Sequence, residues 1–148
     1  MKTSIRKNFA TDDNCTKAEM GFIKTEKLSL VNLILTSDIN SEYKLRLAHS
    51  EDVFLIDSIF GKDNISKKVN IDDIKDIISN IKDVIDNNTS KFSLTLKTDD
   101  SNHNLSIYNM TKNCIDFIVS CEVTGLFVPV KKEDGMLLLF DKFLNSIE

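Results

Sequence analysis

The chain has 148 residues, a length that favours one compact domain. Leu, Ile, Val and Phe make up about a third of it, well above the roughly 20% below which chains tend to stay disordered, so we expect it to fold. The formal net charge is −4 and only Arg6 and Arg46 are arginines. This argues against nucleic acid as a partner, because phosphate binding needs a basic surface and base readout favours Arg.

The first 19 residues contain only two large apolar side chains, Ile5 and Phe9. That is too little apolar surface to offset the entropy of ordering, so the sequence predicts a flexible N-terminal arm over residues 1–19 and a single domain over residues 20–148. No apolar segment typical of a signal peptide or a membrane helix is present, so we expect a cytoplasmic protein without membrane contact.

Three strands are predicted in the first half of the chain. Residues 28–36 are mostly apolar, residues 43–47 alternate apolar with cationic side chains, and residues 53–60 form a third apolar run. Alternation with a period of two and short apolar runs are typical of strands. The turn-forming residues 61–64 end the third strand.

A helix is predicted over residues 71–85, where seven Ile and Val side chains recur at steps of three and four residues. Asn70 has the side chain preferred at a helix N-cap, and Asp72 and Asp73 follow it, where the positive end of the helix dipole favours carboxylates. The polar residues 87–90 end this helix.

The second half of the chain predicts a hairpin, a longer strand, a short strand and a second helix. Residues 92–96 and 105–107 alternate around a turn at 99–102, and residues 114–123 carry apolar side chains at every second position. Residues 126–129 follow, and their proline indicates an edge strand. From residue 131 onward the apolar spacing is helical. The fold class is therefore α+β: a mostly antiparallel sheet of about six to seven strands with one central and one C-terminal amphipathic helix.

Residues able to perform catalysis are few. The two histidines, His49 and His103, are expected to be exposed and chemically idle, with His103 in the turn that precedes residue 105. The three cysteines (Cys15, Cys114 and Cys121) have no recognisable metal-binding spacing and are expected to be reduced, buried side chains. Common hydrolase, metalloprotease and phosphate-loop motifs are missing. We therefore expect no enzymatic activity, no catalytic residue, no metal and no cofactor.

The most informative polar feature is the outer face of the predicted first helix, opposite its Ile stripe. Asp is a mediocre helix former, and a carboxylate near the negative end of the helix dipole is mildly destabilising. One interpretation is an acidic contact surface for a basic partner; the other is a solvated face whose charge Lys75 and Lys82 partly neutralise. The residues predicted to bind a partner are Asp72, Asp73, Asp76, Asn80, Asp83 and Asp86.

The C-terminal part of the chain resembles small bacterial immunity proteins. The segments KFSLTLKTDDSNHNLSIYNM (residues 91–110) and CIDFIVSCEVTGLFVPVKKEDGMLLLFDKFL (residues 114–144) are similar to the C-terminal half of many such proteins in the order of their elements: hairpin, longer strand, short apolar strand and final amphipathic helix. The resemblance implies a cytoplasmic protein that binds a cognate toxin domain and blocks its active site, as in contact-dependent inhibition systems. It carries over no individual residue.

The preferred hypothesis is therefore a non-enzymatic immunity protein with a basic toxin or effector domain as its protein partner. One alternative is a phage or mobile-element inhibitor of a host defence protein. Another is a small-molecule-binding domain or an enzyme with a pocket between sheet and helix. A third is a self-associating protein that pairs through the edge near Val128. The sequence leaves the oligomeric state open.

Overall fold

The structure is a computed structural model, and it describes residues 2–37, 41–122 and 124–148. In these residues the chain forms ten strands and two helices. In chain order they are β1 (Thr3–Phe9), β2 (Thr16–Lys24), β3 (Leu28–Ser37), β4 (Glu42–Ser50), β5 (Val53–Phe60), β6 (Asp63–Val69), α1 (Ile71–Ile85), β7 (Lys91–Lys97), β8 (Asn102–Thr111), β9 (Cys114–Ser120), β10 (Gly125–Lys131) and α2 (Leu138–Ile147).

The predicted α+β class is confirmed, and so is the antiparallel pairing of the strands. The strands form two sheets rather than one: a six-stranded sheet in the order β1-β2-β3-β4-β5-β6 and a four-stranded sheet in the order β10-β9-β8-β7. Every neighbouring pair is antiparallel, as expected for strands joined by short hairpin connections.

The prediction of a flexible arm over residues 1–19 is wrong for the described residues. Strand β1 pairs with β2 along its whole length, from Thr3 opposite Lys24 to Phe9 opposite Ala18. Phe9 is buried, and Ile5 packs against the same core. Few apolar side chains are enough here, because backbone hydrogen bonds to β2 hold an edge strand that needs to bury only one face.

Two further boundaries differ from the sequence prediction. Strand β9 ends at Ser120 rather than at residue 123, which lies outside the described residues. Helix α2 begins at Leu138 rather than near residue 131, because β10 extends to Lys131 and Gly135 adopts a left-handed φ of 78°. Such a φ interrupts regular helical backbone.

Each sheet buries one face, because side chains alternate across a strand. In the six-stranded sheet Met20, Leu33 and Leu45 lie opposite one another in the register, and all three are buried. Leu105 and Val119 form the corresponding buried pair in the four-stranded sheet. These side chains belong to one hydrophobic cluster that also includes residues of both helices.

The helices close this core from the side. Helix α1 packs on β5, β7 and β8, and α2 packs on β2 and β3. Five of the seven side chains in the Ile and Val stripe of α1 are buried, and Ile71 and Ile85 at its ends are half-buried. Helix α2 buries Leu139, Phe140 and Phe143. No helix in the described part of the chain is long and apolar enough to cross a membrane.

The two sheets approach each other at both of their sides. On one side the connection between β1 and β2 runs along β10, where the Lys131 amide donates to the Ala10 carbonyl and the Asp12 amide donates to the Pro129 carbonyl, each over 2.9 Å. On the other side lie the edge strands β6 and β7, which do not pair within the described ranges. Helix α1 lies beside the gap between β6 and β7, and the predicted acidic face borders this gap.

Candidate functional site

Five of the six residues predicted to bind a partner lie on α1, and the sixth, Asp86, is its C-cap residue. Five of the six are exposed and Asp83 is half-buried, whereas the middle of the Ile stripe on the opposite side of the helix, from Ile74 to Ile81, is buried. The structure therefore places the acidic residues on an accessible face, which we call the acidic face and which comprises Asp72, Asp73, Asp76, Asn80, Asp83 and Asp86.

The two lysines of α1 make ion pairs with the C-terminal segment instead of with the acidic face. Lys75 Nζ lies 2.8 Å from Glu148 Oε1, and Lys82 Nζ lies 2.9 Å from Asp141 Oδ1. The hydrogen bond to Glu148 is the largest cause of a raised Lys75 pKa, and Asp72 makes a smaller contribution. The lysines therefore offset little of the acidic face directly, since other carboxylates hold their ammonium groups.

Two members of the acidic face have local structural roles. Asp73 completes a capping box. The backbone N–H of Asp73 donates to Asn70 Oδ1 at 3.0 Å, and the backbone N–H of Asn70 donates to Asp73 Oδ2 at 3.2 Å. Asp83 Oδ1 accepts a long hydrogen bond from the Asn88 amide group. Among the described residues no side chain bonds to the remaining four members, Asp72, Asp76, Asn80 and Asp86.

A groove borders this face, between α1 and the edge strands β6 and β7. Its apolar surface includes Ile77 on the helix and Phe92 and Leu94 on β7, of which the last two are half-buried. Lys67 and Lys68 line the β6 side, and the helix side carries three members of the acidic face: Asp73, Asp76 and Asn80. The groove therefore combines an apolar floor with charges of opposite sign on its two walls.

Among the strands that the structure describes, β7 has a neighbour on one side only, so its other edge presents backbone groups to the groove. In the β7–β8 hairpin the Thr98 amide donates to the Ser101 carbonyl, and the Asn109 amide donates to the Ser90 carbonyl. Since backbone groups alternate in direction along an antiparallel strand, the even-numbered residues of β7 face β8 and the odd-numbered ones face away from it. The outward residues are Lys91, Ser93, Thr95 and Lys97. Such an edge can accept an added strand from another chain.

A buried polar cluster lies where β6 meets the β7–β8 turn, and it corrects the prediction for His103. That side chain is 1% exposed rather than solvent-facing, because β8 begins at Asn102 and places His103 on the inward side with Leu105 and Ile107. Ser58 Oγ lies 2.9 Å from His103 Nδ1. The Tyr43 hydroxyl lies 2.7 Å from Ser58 Oγ.

Asp63 fixes the direction of the hydrogen bonds in this cluster. Its Oδ2 lies 2.8 Å from His103 Nε2, and its Oδ1 accepts from the Ser101 hydroxyl at 2.7 Å. The bonds from Ser101 and then His103 lower the Asp63 pKa, so the carboxylate is ionised near neutral pH and accepts hydrogens only. His103 therefore donates from Nε2, and in the neutral imidazole Nδ1 is then the acceptor.

The remaining hydrogens follow from this assignment. Ser58 donates to His103 Nδ1 and accepts from the Tyr43 hydroxyl, whose pKa burial raises to about 12. The chain of donors runs from Tyr43 through Ser58 and His103 to Asp63, and every polar group in it has a partner. Ser58 is completely buried, which disfavours a nucleophilic role, so the cluster primarily ties the two sheets together.

The other residues considered for chemistry are dispersed. His49 is half-buried, with its ring stacked on Phe54 at a centroid separation of 4.2 Å. All three cysteines are free: Cys114 is buried and Cys121 half-buried, but Cys15 is exposed, contrary to the prediction that it is buried. Cys121 is the one that approaches the polar cluster, with Sγ 4.0 Å from Asp63 Oδ2.

Sequence reasoning located the acidic face but neither the groove nor the polar cluster. A signal for the cluster was present, because His103 continues the period-two series of Leu105 and Ile107. The sequence signal for strand β6 was weaker, because the charged residue Lys67 interrupts the apolar series on its inward face between Ile65 and Val69. Comparison of the chain with protein-family models, curated proteins and solved structures found no match.

Proposed function

We propose that this chain is a non-enzymatic, protein-binding inhibitor: a cytoplasmic immunity protein that neutralises a cognate toxin domain by covering its active site. The observation that carries the proposal is the accessible acidic face beside an apolar groove with an open strand edge. A basic toxin domain has the complementary charge, and the groove gives it a surface on which to bury apolar side chains.

The charged and apolar parts of this surface have different roles in binding. Carboxylates on an exposed face accelerate the encounter with a basic partner but add little affinity, because water and salt screen them. Affinity comes mainly from a few well-packed apolar or aromatic side chains near the centre of an interface. Phe92 and Leu94 are half-buried residues suited to this second role.

The experiment that tests the proposal begins with capture of the partner from the source organism with the full chain, followed by its identification. Association of the purified pair is then measured by stopped flow at low and at physiological salt. Asp76→Ala combined with Asp83→Ala is expected to slow association by roughly three- to tenfold at low salt, with a smaller effect at physiological salt.

The matched control is Glu26→Ala combined with Glu122→Ala, which makes the same change in net charge at two exposed residues that lie neither on α1 nor in the groove. If both double variants slow association equally, net charge rather than the acidic face governs the encounter. Phe92→Ala is expected to weaken affinity through faster dissociation, by about 2 kcal/mol or more.

The identity of the captured protein separates the two inhibitor hypotheses. A toxin or effector domain whose activity the chain abolishes supports an immunity protein, whereas a host defence protein supports the phage or mobile-element inhibitor. Binding that leaves the partner's activity intact would contradict both.

A further inference from the structure

We infer that Asp63, His103 and Cys121 form a binding site for a divalent transition-metal ion of the zinc type. Each residue offers one ligand atom, and the three atoms lie within 4.8 Å of one another. They come from three segments: the start of β6, the start of β8 and the residue that follows β9. Imidazole nitrogen, carboxylate oxygen and thiolate sulfur are the three donor types that zinc takes in proteins.

Two of the three separations between these atoms lie near those of a tetrahedral site, and the third is within 4.8 Å. Zinc bonds of 2.0–2.3 Å place neighbouring ligand atoms about 3.3–3.6 Å apart. Asp63 Oδ2 lies 2.8 Å from His103 Nε2 and 4.0 Å from Cys121 Sγ, so the two observed distances bracket this range. The Asp63 side chain is 41% exposed, which lets its carboxylate adjust while the buried His103 stays in place.

The contacts that support metal ligands in proteins are also present. A ligating histidine usually bonds through its other ring nitrogen, and a ligating carboxylate is itself hydrogen-bonded. His103 Nδ1 contacts Ser58 Oγ, and Asp63 Oδ1 accepts from Ser101. Three protein ligands at a partly exposed position leave a fourth coordination position for water.

Metal binding would move the hydrogen of the His103 ring and release the proton of the Cys121 thiol. The ion takes the lone pair of His103 Nε2, so the imidazole hydrogen moves to Nδ1 and is donated to Ser58 Oγ. The Ser58 hydroxyl hydrogen then turns from His103 to the Tyr43 oxygen. The Cys121 thiol loses its proton to solvent, and the thiolate binds the ion. One proton is therefore released for each ion bound. The ion would hold β6 of one sheet to β8 of the other, independently of the acidic face.

The primary experiment adds Co²⁺, a spectroscopic substitute for zinc, to the metal-free full chain. One equivalent is expected to produce a thiolate-to-cobalt charge-transfer absorption, and Cys121→Ser should abolish it. Cys114→Ser is the matched control, because Cys114 Sγ also lies beside a carboxylate, 3.6 Å from Asp12 Oδ2, but in a different part of the fold. Absence of the band in the unsubstituted chain, its survival in Cys121→Ser or its loss in Cys114→Ser would overturn the proposal.

A second measurement tests the other two ligands with Zn²⁺ itself. Asp63→Asn and His103→Gln are expected to weaken zinc binding at least tenfold in competition with a chelating dye, and circular dichroism shows whether each variant folds. If His103→Gln does not fold, Asp63→Asn and Cys121→Ser at partly exposed positions decide the matter. Zn²⁺ at a hundred times its Kd should raise the Tm of the unsubstituted chain by about 5–10 °C and leave that of Cys121→Ser unchanged. Equal shifts in both would refute the site.

Discussion

The hydrogen-bond chain from Tyr43 through Ser58 to His103 predicts that Tyr43→Phe lowers the unfolding free energy of the unsubstituted chain but raises that of the Ser58→Ala variant. Ser58→Ala removes the group that both neighbours share, so the Tyr43 hydroxyl and His103 Nδ1 are each left buried without a partner. An unsatisfied buried polar group costs about 1–3 kcal/mol, so this variant should lose about 2–6 kcal/mol of unfolding free energy.

Tyr43→Phe behaves differently in the two backgrounds. In the unsubstituted chain it removes one donor to Ser58, which still donates to His103, and the expected cost is about 0.5–1.5 kcal/mol. In the Ser58→Ala background the same substitution removes a hydroxyl that has lost its partner, and it should restore about 1–3 kcal/mol. The double variant is therefore expected to be more stable than Ser58→Ala alone.

Urea unfolding of the four proteins in a chelating buffer measures this cycle, with the slope m compared across them to confirm that the unfolded state is unchanged. If Tyr43→Phe lowers the unfolding free energy by the same amount in both backgrounds, the two side chains do not share the hydrogen bond and the assigned chain of donors is wrong.

Three further predictions concern stability. Asn70→Ala removes the cap of α1 and should cost about 1 kcal/mol in urea unfolding; no change would mean that the capping box is dispensable. The pKa of Asp63 is lowered in the folded state, so its contribution to stability is present above the unfolded pKa near 3.9 and is lost as pH falls through the folded pKa. Asp63→Asn should therefore flatten the loss of unfolding free energy below about pH 4. The same pH dependence of stability in the variant and the unsubstituted chain would contradict this. Phe143→Ala in α2, at a completely buried position, should cost about 3–5 kcal/mol, whereas the control Leu138→Ala at a 52% exposed position should stay within about 0.5 kcal/mol; similar costs would mean that α2 is not anchored through Phe143.

The elements that the sequence predicted best are those whose signal is local. The 15 residues of α1 contain their whole apolar stripe, and its first-turn partner Asp73 lies three residues after the cap. The β7–β8 hairpin is likewise defined by two alternating segments and the turn between them. In both cases the residues that determine the secondary structure lie within one continuous segment, so the sequence of that segment is enough to predict it.

The features that were missed depend on partners far away in the chain. Strand β1 has little apolar surface of its own, and its order comes from pairing with β2. His103 forms hydrogen bonds with Ser58 and Asp63, which lie 45 and 40 residues away in the chain. The turn-like residues around His103 do not predict either contact. The groove likewise requires edge strands of two different sheets, and which strands become edges is a property of topology alone.

Asp86 offers a way to separate the two explanations of the acidic face. It is the C-cap residue of α1, where the negative end of the helix dipole makes a carboxylate unfavourable by a few tenths of a kcal/mol. A residue retained at such a position for binding should show a trade-off: Asp86→Asn is expected to raise the urea midpoint slightly and to slow association with the captured partner at low salt. A composition-biased, solvated face predicts the gain in stability without the loss of association rate. That second outcome would remove Asp86 from the contact surface, because nothing in its local structure requires the negative charge.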